Sequence, residues 1–214
     1  MSTATDLEAL LRRGLETLGL SLPDAAAERL LAYVALLGKW NRAYNLTAVR
    51  EPQAMVTRHL LDSLAVLPHL HGATVADVGT GAGLPGLPLA LASPERRFVL
   101  LDGNAKKCRF LTQAVAELAI PNVTVVRARV EDYRPEQEFD TVICRAFATV
   151  AQMLALSGHL CARGGRVLAM KGQHPHAELD ELPAGFRLLS VVRLRVPGLD
   201  AERHLVIIDR CAGC

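Results

Sequence analysis

A glycine-rich segment that directly follows an apolar run is the first candidate for chemistry in this chain. Residues 75–86 read VADVGTGAGLPG. Glycine lets the backbone turn tightly and approach a ligand, and the amides of such a turn face anionic groups. Pro85 suits the first turn of a following helix. The segment therefore predicts a strand, a ligand-binding loop and a helix, with Gly81 and Gly83 beside the ligand.

Two acids bear on which ligand this loop binds. Gly81, Gly83 and Gly86 also satisfy the dinucleotide pattern GxGxxG, and Asp102 lies at about the distance expected of a ribose-binding acid. Asp77, at the end of the first strand, would repel a pyrophosphate but would suit an ammonium group. S-adenosyl-L-methionine carries that ammonium, a carboxylate for the loop amides and ribose hydroxyls for Asp102. The pattern favours this cofactor, with NAD or a glycine turn without a ligand as the alternatives.

Charged residues also follow two later strands. Glu131 and Asp132 come after the run at 123–128, where an acid can accept a hydrogen bond from an adenine amino group or can simply be solvated. Arg145 lies at the end of the fourth strand, beside the expected cofactor. A guanidinium in an apolar context needs a partner. A ligand carboxylate, a phosphate, a base or a structural salt bridge would each supply one.

Missing motifs narrow the class of reaction. The proline-rich motif of amino-directed DNA and RNA methyltransferases is not found after the fourth strand. Cys144 has no preceding proline and follows an apolar strand, which favours a core cysteine over the nucleophile of a pyrimidine-C5 methyltransferase. Cys211 and Cys214 form a terminal CxxC without a second pair, so no metal site is expected.

The elements that must position these residues alternate between strand and helix from residue 73 onward. Short β-rich runs begin near residues 74, 97, 122, 140 and 165, with helical patterns between them, which predicts a parallel sheet covered on both faces. The runs at 187–196 and 203–209 have no helix between them and predict a hairpin that adds an antiparallel edge. The expected fold class is α/β: a doubly wound, mostly parallel, Rossmann-like sheet of the class I methyltransferase type.

The chain before this sheet has a helical pattern. Leucines at helical spacing predict helices over about 7–18 and from Asp24 to about residue 37, and Pro52 opens a third helix that we expect to reach Leu67. Pro68 and Gly72 then interrupt the helical pattern before the first strand. We expect an N-terminal helical extension over 1–72 and an S-adenosylmethionine-binding domain over 73–214.

Composition sets the class of protein. Half of the 214 residues are apolar and 21% are charged, which predicts a packed core, and a formal charge of +2 does not by itself indicate a nucleic-acid partner. There is no signal-peptide pattern and no run of eighteen apolar residues. Five scattered cysteines fit a reducing compartment. We expect a cytoplasmic monomer without a membrane contact.

Six segments occur in the order of a known family. They are WNRAYNLTAV at 40–49, RHLLDSL at 58–64, DVGTGAGLPG at 77–86, Lys106-Lys107 before Phe110-Leu111, RAFA at 145–148 and Lys171-Gly172. The glycine loop is generic to a superfamily, whereas YNLTAV, HLLDSL and RAFA in combination are specific. Together these segments resemble the bacterial small-subunit ribosomal RNA guanine-N7 methyltransferases, the RsmG or GidB family.

The resemblance implies S-adenosyl-L-methionine-dependent methylation at N7 of one guanine in 16S rRNA, with the small ribosomal subunit or an assembly intermediate as partner. Guanine N7 has a free lone pair, so no general base is expected, and Arg145 would position the reactants. Gly103-Asn104 departs from the family, where serine is common after Asp102. By matching position the resemblance assigns cofactor contacts to Gly79, Leu84, Val130, Glu131 and Arg145, beside Asp77 and Asp102.

Basic residues near aromatic ones suit RNA. Lys39, Arg42, Arg50 and Arg58 surround Trp40 and Tyr44, and without the resemblance a solvated helix face would be the preferred interpretation of this run. Phe147 would stack on the target base or pack in the core. A small-molecule methyltransferase, an NAD-dependent oxidoreductase and a ribosome-binding factor without catalysis are the alternative functions. The RNA contacts expected with the resemblance are Arg58, Lys106, Lys107, Phe147 and Lys171.

Overall fold

Helices precede the first strand, as the leucine spacing predicts. The computed structural model describes residues 4–145, 149–179 and 182–211. The third helical run begins at Pro52 as predicted but ends at Leu64, because the backbone hydrogen bonds tighten there to the i to i−3 pattern, with the Val66 amide donating to the Ser63 carbonyl at 3.2 Å. Its middle is a π-helical turn, which sequence periodicity did not predict. The elements are α1 Ala4–Thr17, α2 Asp24–Tyr44, α3 Pro52–Met55, the π-helix Val56–Leu61, α4 Asp62–Leu64 and a 3-10 turn at Leu67–His69.

A seven-stranded sheet follows, in the order β3-β2-β1-β4-β5-β7-β6. Strands β1 to β5 are parallel, whereas β7 is antiparallel to both β5 and β6, so the predicted mostly parallel sheet with an antiparallel edge hairpin is confirmed. The strands are β1 Thr74–Val78, β2 Arg97–Leu101, β3 Val123–Val126, β4 Phe139–Arg145, β5 Cys161–Lys171, β6 Phe186–Arg193 and β7 His204–Arg210. The helices between them are α5 Gly86–Ala92, α6 Ala105–Glu117 and α7 Val150–Ser157, with 3-10 turns at Val130–Asp132, Gly158–Leu160 and His176–Glu178.

The strand order reverses at β1, which places a crevice at one edge of the sheet. Strands β2 and β3 lie on one side of β1, and β4 and β5 lie on the other. In open α/β sheets, ligands bind outside the carboxyl ends of the strands at such a switch point. Asp77, Leu101 and Arg145 lie at or near these ends in β1, β2 and β4. The topology therefore brings the predicted site residues to one edge.

Helices cover both faces of the sheet, and each face has its own hydrophobic cluster. The larger cluster joins alternate strand residues such as Leu100 and Ile143 to helices α1, α2, α5 and α6. The smaller cluster joins Val142 and Val167 to helix α7. The division after residue 72 stays a prediction, and the larger cluster contains residues from both sides of it. No helix in the described ranges is long and apolar enough to cross a membrane.

Candidate active site

The glycine loop turns through backbone conformations that favour glycine. Gly79, Gly81 and Gly83 have φ values of 69°, 64° and 91°. The amide nitrogens of Gly79 and Thr80 donate to the Leu101 carbonyl at 2.8 and 3.2 Å, which ties the loop to the end of β2. A Cβ at Gly83 would lie 2.5 Å from Leu87 Cδ1. The loop is thus fixed on both sides and can present its backbone to a ligand.

Asp77 lies inside this loop and holds it together. Its Oδ2 accepts from the Thr80 hydroxyl at 2.6 Å and from the Gly86 amide at 2.8 Å, and the residue is fully buried. Burial raises the pKa of Asp77 to about 6, although both hydrogen bonds oppose that shift. Its Oδ1 is buried without a hydrogen-bond partner among the described residues. A contact with a ligand ammonium group stays a prediction.

Asp102 faces the same loop from the end of β2. Its Oδ2 accepts from the Gly81 amide at 2.9 Å, and its Oδ1 accepts from the Asn104 amide at 2.8 Å. The ammonium of Lys107 lies 3.6 Å from Oδ2. The Asp102 carboxylate therefore has a fixed orientation, set by backbone groups on two sides.

Asn104, part of the Gly103-Asn104 pair where the family commonly has serine, has a structural role. Its side-chain oxygen accepts from the amides of Lys106 at 2.9 Å and Lys107 at 3.4 Å, which caps the N-terminus of α6. A serine at an N-cap can accept in the same way. The cap fixes the start of α6 beside Asp102.

A cavity of about 420 Å³ opens beside Asp102 at the switch point. Gly79, Asp102, Val130 and Glu131, all predicted cofactor contacts, line this cavity. Glu131 is half exposed, with its carboxylate 3.9 Å from the Arg129 guanidinium. The remaining predicted cofactor contacts are not part of the lining: Asp77, Gly81, Gly83 and Leu84 belong to the loop behind it, and Arg145 lies at the end of β4.

Arg145 has an acidic partner that sequence analysis missed. One of its terminal nitrogens lies 3.5 Å from Asp62 Oδ2, and Arg203 Nε donates to Asp62 Oδ1 at 2.9 Å. Burial raises the pKa of Asp62, against the lowering effect of the two arginines. The salt bridge that the sequence left open is present. The HLLDSL segment was the available signal for Asp62, since an acid lies there within an apolar run.

The predicted RNA contacts fall into different environments. Arg58 is exposed on the π-helix, and Lys106 is exposed in the first turn of α6. Lys171 is largely buried, and its ammonium lies 2.8 Å from Glu178 Oε2. Phe147 lies outside the described residues. The structure thus places Lys106 and Lys107 in the first turn of α6, two and three residues after the cavity residue Asn104, and gives Lys171 an intramolecular partner.

One further residue connects a helix to the site. The Tyr33 hydroxyl of α2 is fully buried and donates to the Ala82 carbonyl of the glycine loop at 2.8 Å. Sequence analysis missed this contact, because Tyr33 lies within an apolar helix face.

Cys144 is buried, and burial raises the pKa of its thiol, as expected of a core cysteine. Cys214 lies outside the described residues.

Comparison with solved structures defines the class of fold. A SAM-dependent methyltransferase from Aquifex aeolicus matches with a TM-score of 0.56 and 17% identity, over 79% of this chain and 96% of the other. TYW2 of M. jannaschii in complex with AdoMet matches with a TM-score of 0.54 and 16% identity, over 70% and 74%. At these identities the likeness shows the fold. The fold is that of the class I S-adenosylmethionine-dependent methyltransferases.

Sequence comparison defines the family. The rRNA small subunit methyltransferase G family matches residues 26–206. Proteins named ribosomal RNA small subunit methyltransferase G are 54% identical in Nitrosospira multiformis, over 92% of this chain and 94% of the relative, and 53% identical in Idiomarina loihiensis, over 89% and 93%. The chain belongs to the rRNA small subunit methyltransferase G family, a family of S-adenosylmethionine-dependent methyltransferases.

Proposed function

We propose that this protein transfers a methyl group from S-adenosylmethionine to N7 of one guanine in 16S rRNA. Family membership supports the rRNA substrate. The observation that carries the proposal is the cavity at the switch point, which four predicted cofactor contacts line beside the glycine loop. We further propose that the protein is a cytoplasmic monomer and that its substrate is the small subunit or an assembly intermediate.

The residues around the cavity fit the cofactor. Its volume of about 420 Å³ lies in the range of ligand sites, which is roughly 300–1,000 Å³. Each Asp102 oxygen accepts one backbone N–H, so each keeps acceptor capacity for a ribose hydroxyl. Glu131 lines the same cavity and can accept from an amino group of the adenine ring. When bound, S-adenosylmethionine supplies an electrophilic sulfonium methyl group.

The chain has to orient the two reactants more than it has to move protons. Guanine N7 presents its lone pair at neutral pH, so the described residues need not supply a base for it. Correct positioning alone can lower a barrier by about 7–11 kcal/mol. Arg145, held at the end of β4 by Asp62, and the glycine loop, held by Asp77 and Asp102, are the groups that would provide this positioning.

The exposed cations near the cavity would contact RNA phosphates. Lys106 and the half-buried Lys107 lie in the first turn of α6, after the cavity residue Asp102, and Arg58 lies on the same helical run as Asp62. Phosphate contacts position a nucleic acid without reading its sequence. A role for Lys171 would be indirect, through the segment that Glu178 ties back to it.

Methyl transfer from tritiated S-adenosylmethionine tests the proposal. Unmodified small subunits, deproteinised 16S rRNA and large subunits serve as parallel acceptors. Label in 16S rRNA from one of the first two acceptors, with none in the large subunit, supports the assignment. Label in neither 16S acceptor would overturn it. The better of the two acceptors identifies the natural form of the substrate.

A further inference from the structure

One buried carboxylate holds two arginines at the carboxyl edge of the sheet, outside the lining of the cavity. Asp62 Oδ1 accepts from Arg203 Nε at 2.9 Å, and Asp62 Oδ2 lies 3.5 Å from the nearest nitrogen of Arg145. The Asp62 side chain is 2% exposed, whereas those of Arg145 and Arg203 are 29% and 26% exposed. Each guanidinium is thus bound to Asp62 and still partly exposed, and Arg203 also donates through a terminal nitrogen to the Glu202 carbonyl at 2.8 Å.

The three residues come from distant parts of the chain. Asp62 begins α4 within the N-terminal helical region, Arg145 ends β4, and Arg203 directly precedes β7. The loop of the β6–β7 hairpin also lies against the π-helix, where a Cβ at Gly198 would come within 3.6 Å of Thr57. Asp62 therefore joins the N-terminal helices, the fourth strand and the C-terminal hairpin at a single point.

The charges of this cluster do not cancel. Two guanidiniums share one carboxylate, which leaves one net positive charge where the outer faces of Arg145 and Arg203 meet solvent. Burying a carboxylate has a large desolvation cost, and an apolar replacement is often as stable as a buried ion pair. Stability alone is therefore a weak reason for an acid at Asp62. Orientation of the two cations toward an anionic substrate is a stronger one.

We propose that Asp62 is a positioning residue for methyl transfer, which fixes the guanidiniums of Arg145 and Arg203 so that their outer faces hold the substrate RNA in register with the cofactor. The inference rests on the proposed function, since the anionic substrate it invokes is RNA. It adds a residue of the N-terminal helices to the active site and assigns a role to the HLLDSL segment. Asp62 acts only through the two arginines.

Asp62→Asn tests this role, because asparagine keeps the shape of the side chain and loses its charge. Without the carboxylate the two guanidiniums repel each other and lose their fixed orientation. We expect kcat to fall by about tenfold or more, as small displacements in a reactive complex can cost up to about a hundredfold. RNA affinity should be unchanged or tighter, because the variant gains one positive charge. Cofactor affinity should change less than kcat, because neither arginine lines the cavity and Arg145 is only one of the predicted cofactor contacts.

Glu138→Gln is the matched control. Glu138 also pairs with an arginine next to the sheet, since Arg210 lies 2.8 Å from its Oε1, and the substitution adds the same net charge. This pair lies near the start of β5, at the edge opposite the cavity. The control should keep the wild-type kcat. An Asp62→Asn protein that also keeps it would show that the cluster is structural, and one with a higher kcat/KM would show that Asp62 only opposes RNA binding.

Arg203→Lys is the alternative test if Asp62→Asn does not fold. Lysine keeps the positive charge but replaces the planar guanidinium with a single ammonium group. It should lower kcat with RNA affinity unchanged, and an unchanged kcat would overturn the proposal. The Nε–H NMR signal of Arg203 gives a readout that needs no activity, because this group donates directly to Asp62. The signal should be sharp in the wild type and lost in Asp62→Asn. A sharp signal in a wild type that transfers no methyl group would place the failure in the proposed function rather than in the cluster.

Discussion

Two aspartates at neighbouring strand ends have different roles because their surroundings differ. Asp102 accepts one backbone N–H on each oxygen and lines the cavity, so its carboxylate is oriented by the backbone and open to a ligand. Asp77 is fully buried, and burial raises its pKa to about 6. The sequence assigned both acids to the cofactor. The structure brings Asp102 to the cavity and buries Asp77 within the glycine loop, where its side chain holds the loop together.

Replacement of Asp102 tests the cofactor site at the level of one residue. Asp102→Ala removes charge-assisted hydrogen bonds, and we expect the affinity for S-adenosylhomocysteine to fall by about 1.5–3 kcal/mol. Calorimetry measures this loss, with a thermal melt to show that the variant is folded. Asp132→Ala is the control, because Asp132 is an exposed acid that does not line the cavity. Equal affinities in both variants would remove Asp102 from the site.

Asp77 should leave a signature in the pH dependence of stability. Its pKa is raised in the folded state from an ordinary value of 3.8 to about 6, so the folded protein binds more protons between these values. Its contribution to the free energy of unfolding therefore falls as pH rises from about 4 to 6, by roughly 3 kcal/mol in total. Asp77→Asn should lack this decline. Urea titrations of both proteins at several pH values measure the difference, and parallel curves would contradict the assignment.

At the scale of elements, regular patterns could be predicted and contacts between distant segments could not. The strands and helices within residues 73–214 were predicted because each apolar run there is bounded by glycine, proline or a charged residue. The π-helix Val56–Leu61 was not predicted, since its composition does not differ from that of an α-helix. The contact of Asp62 with Arg203 spans 141 residues, and no local pattern encodes it. The cofactor loop was therefore predictable, whereas the partner of Arg145 was not.

Two glycine-to-alanine substitutions compare a position in the loop, where glycine is required, with a position in a helix, where it is not. Gly83→Ala places a Cβ at a φ of 91° and 2.5 Å from Leu87 Cδ1, which should destabilise the protein by about 1–3 kcal/mol and weaken cofactor binding. Gly38→Ala in α2 meets no atom within 4 Å and should stabilise the protein by about 0.5–1 kcal/mol. Denaturant titrations measure both effects. Equal effects would mean that the loop does not require glycine.

For the whole molecule, the location of charge matters more than its total. The formal charge is only +2, yet Lys106, Lys107 and the Asp62 cluster place positive charge near the carboxyl edge of the sheet, and Arg58 is exposed four residues before Asp62 on the same helical run. Phosphate contacts make RNA binding depend on salt, through release of counterions. An RNA enzyme of this design should therefore bind more weakly as salt rises.

Triple replacement of Arg58, Lys106 and Lys107 by alanine should reduce that salt dependence. Each lost phosphate contact flattens the logarithmic slope by up to about 0.7 on single strands, and three contacts by about 2. Replacement of Arg13, Arg97 and Arg163, which are exposed but remote from the cavity, is the matched control. RNA binding over a salt series measures both variants. A slope equal to that of the control would show that the three cations form an ordinary solvated surface.

Nucleoside analysis of the methylated RNA tests the central claim most directly. Small subunits that lack the modification are incubated with the protein and S-adenosylmethionine, and the 16S rRNA is digested and analysed by mass spectrometry, with the Asp102→Ala protein as control. We expect 7-methylguanosine to increase by one residue per 16S rRNA with the wild-type protein and by much less with the variant. Methylation of another base or another atom of guanine, or no increase at all, would contradict the account.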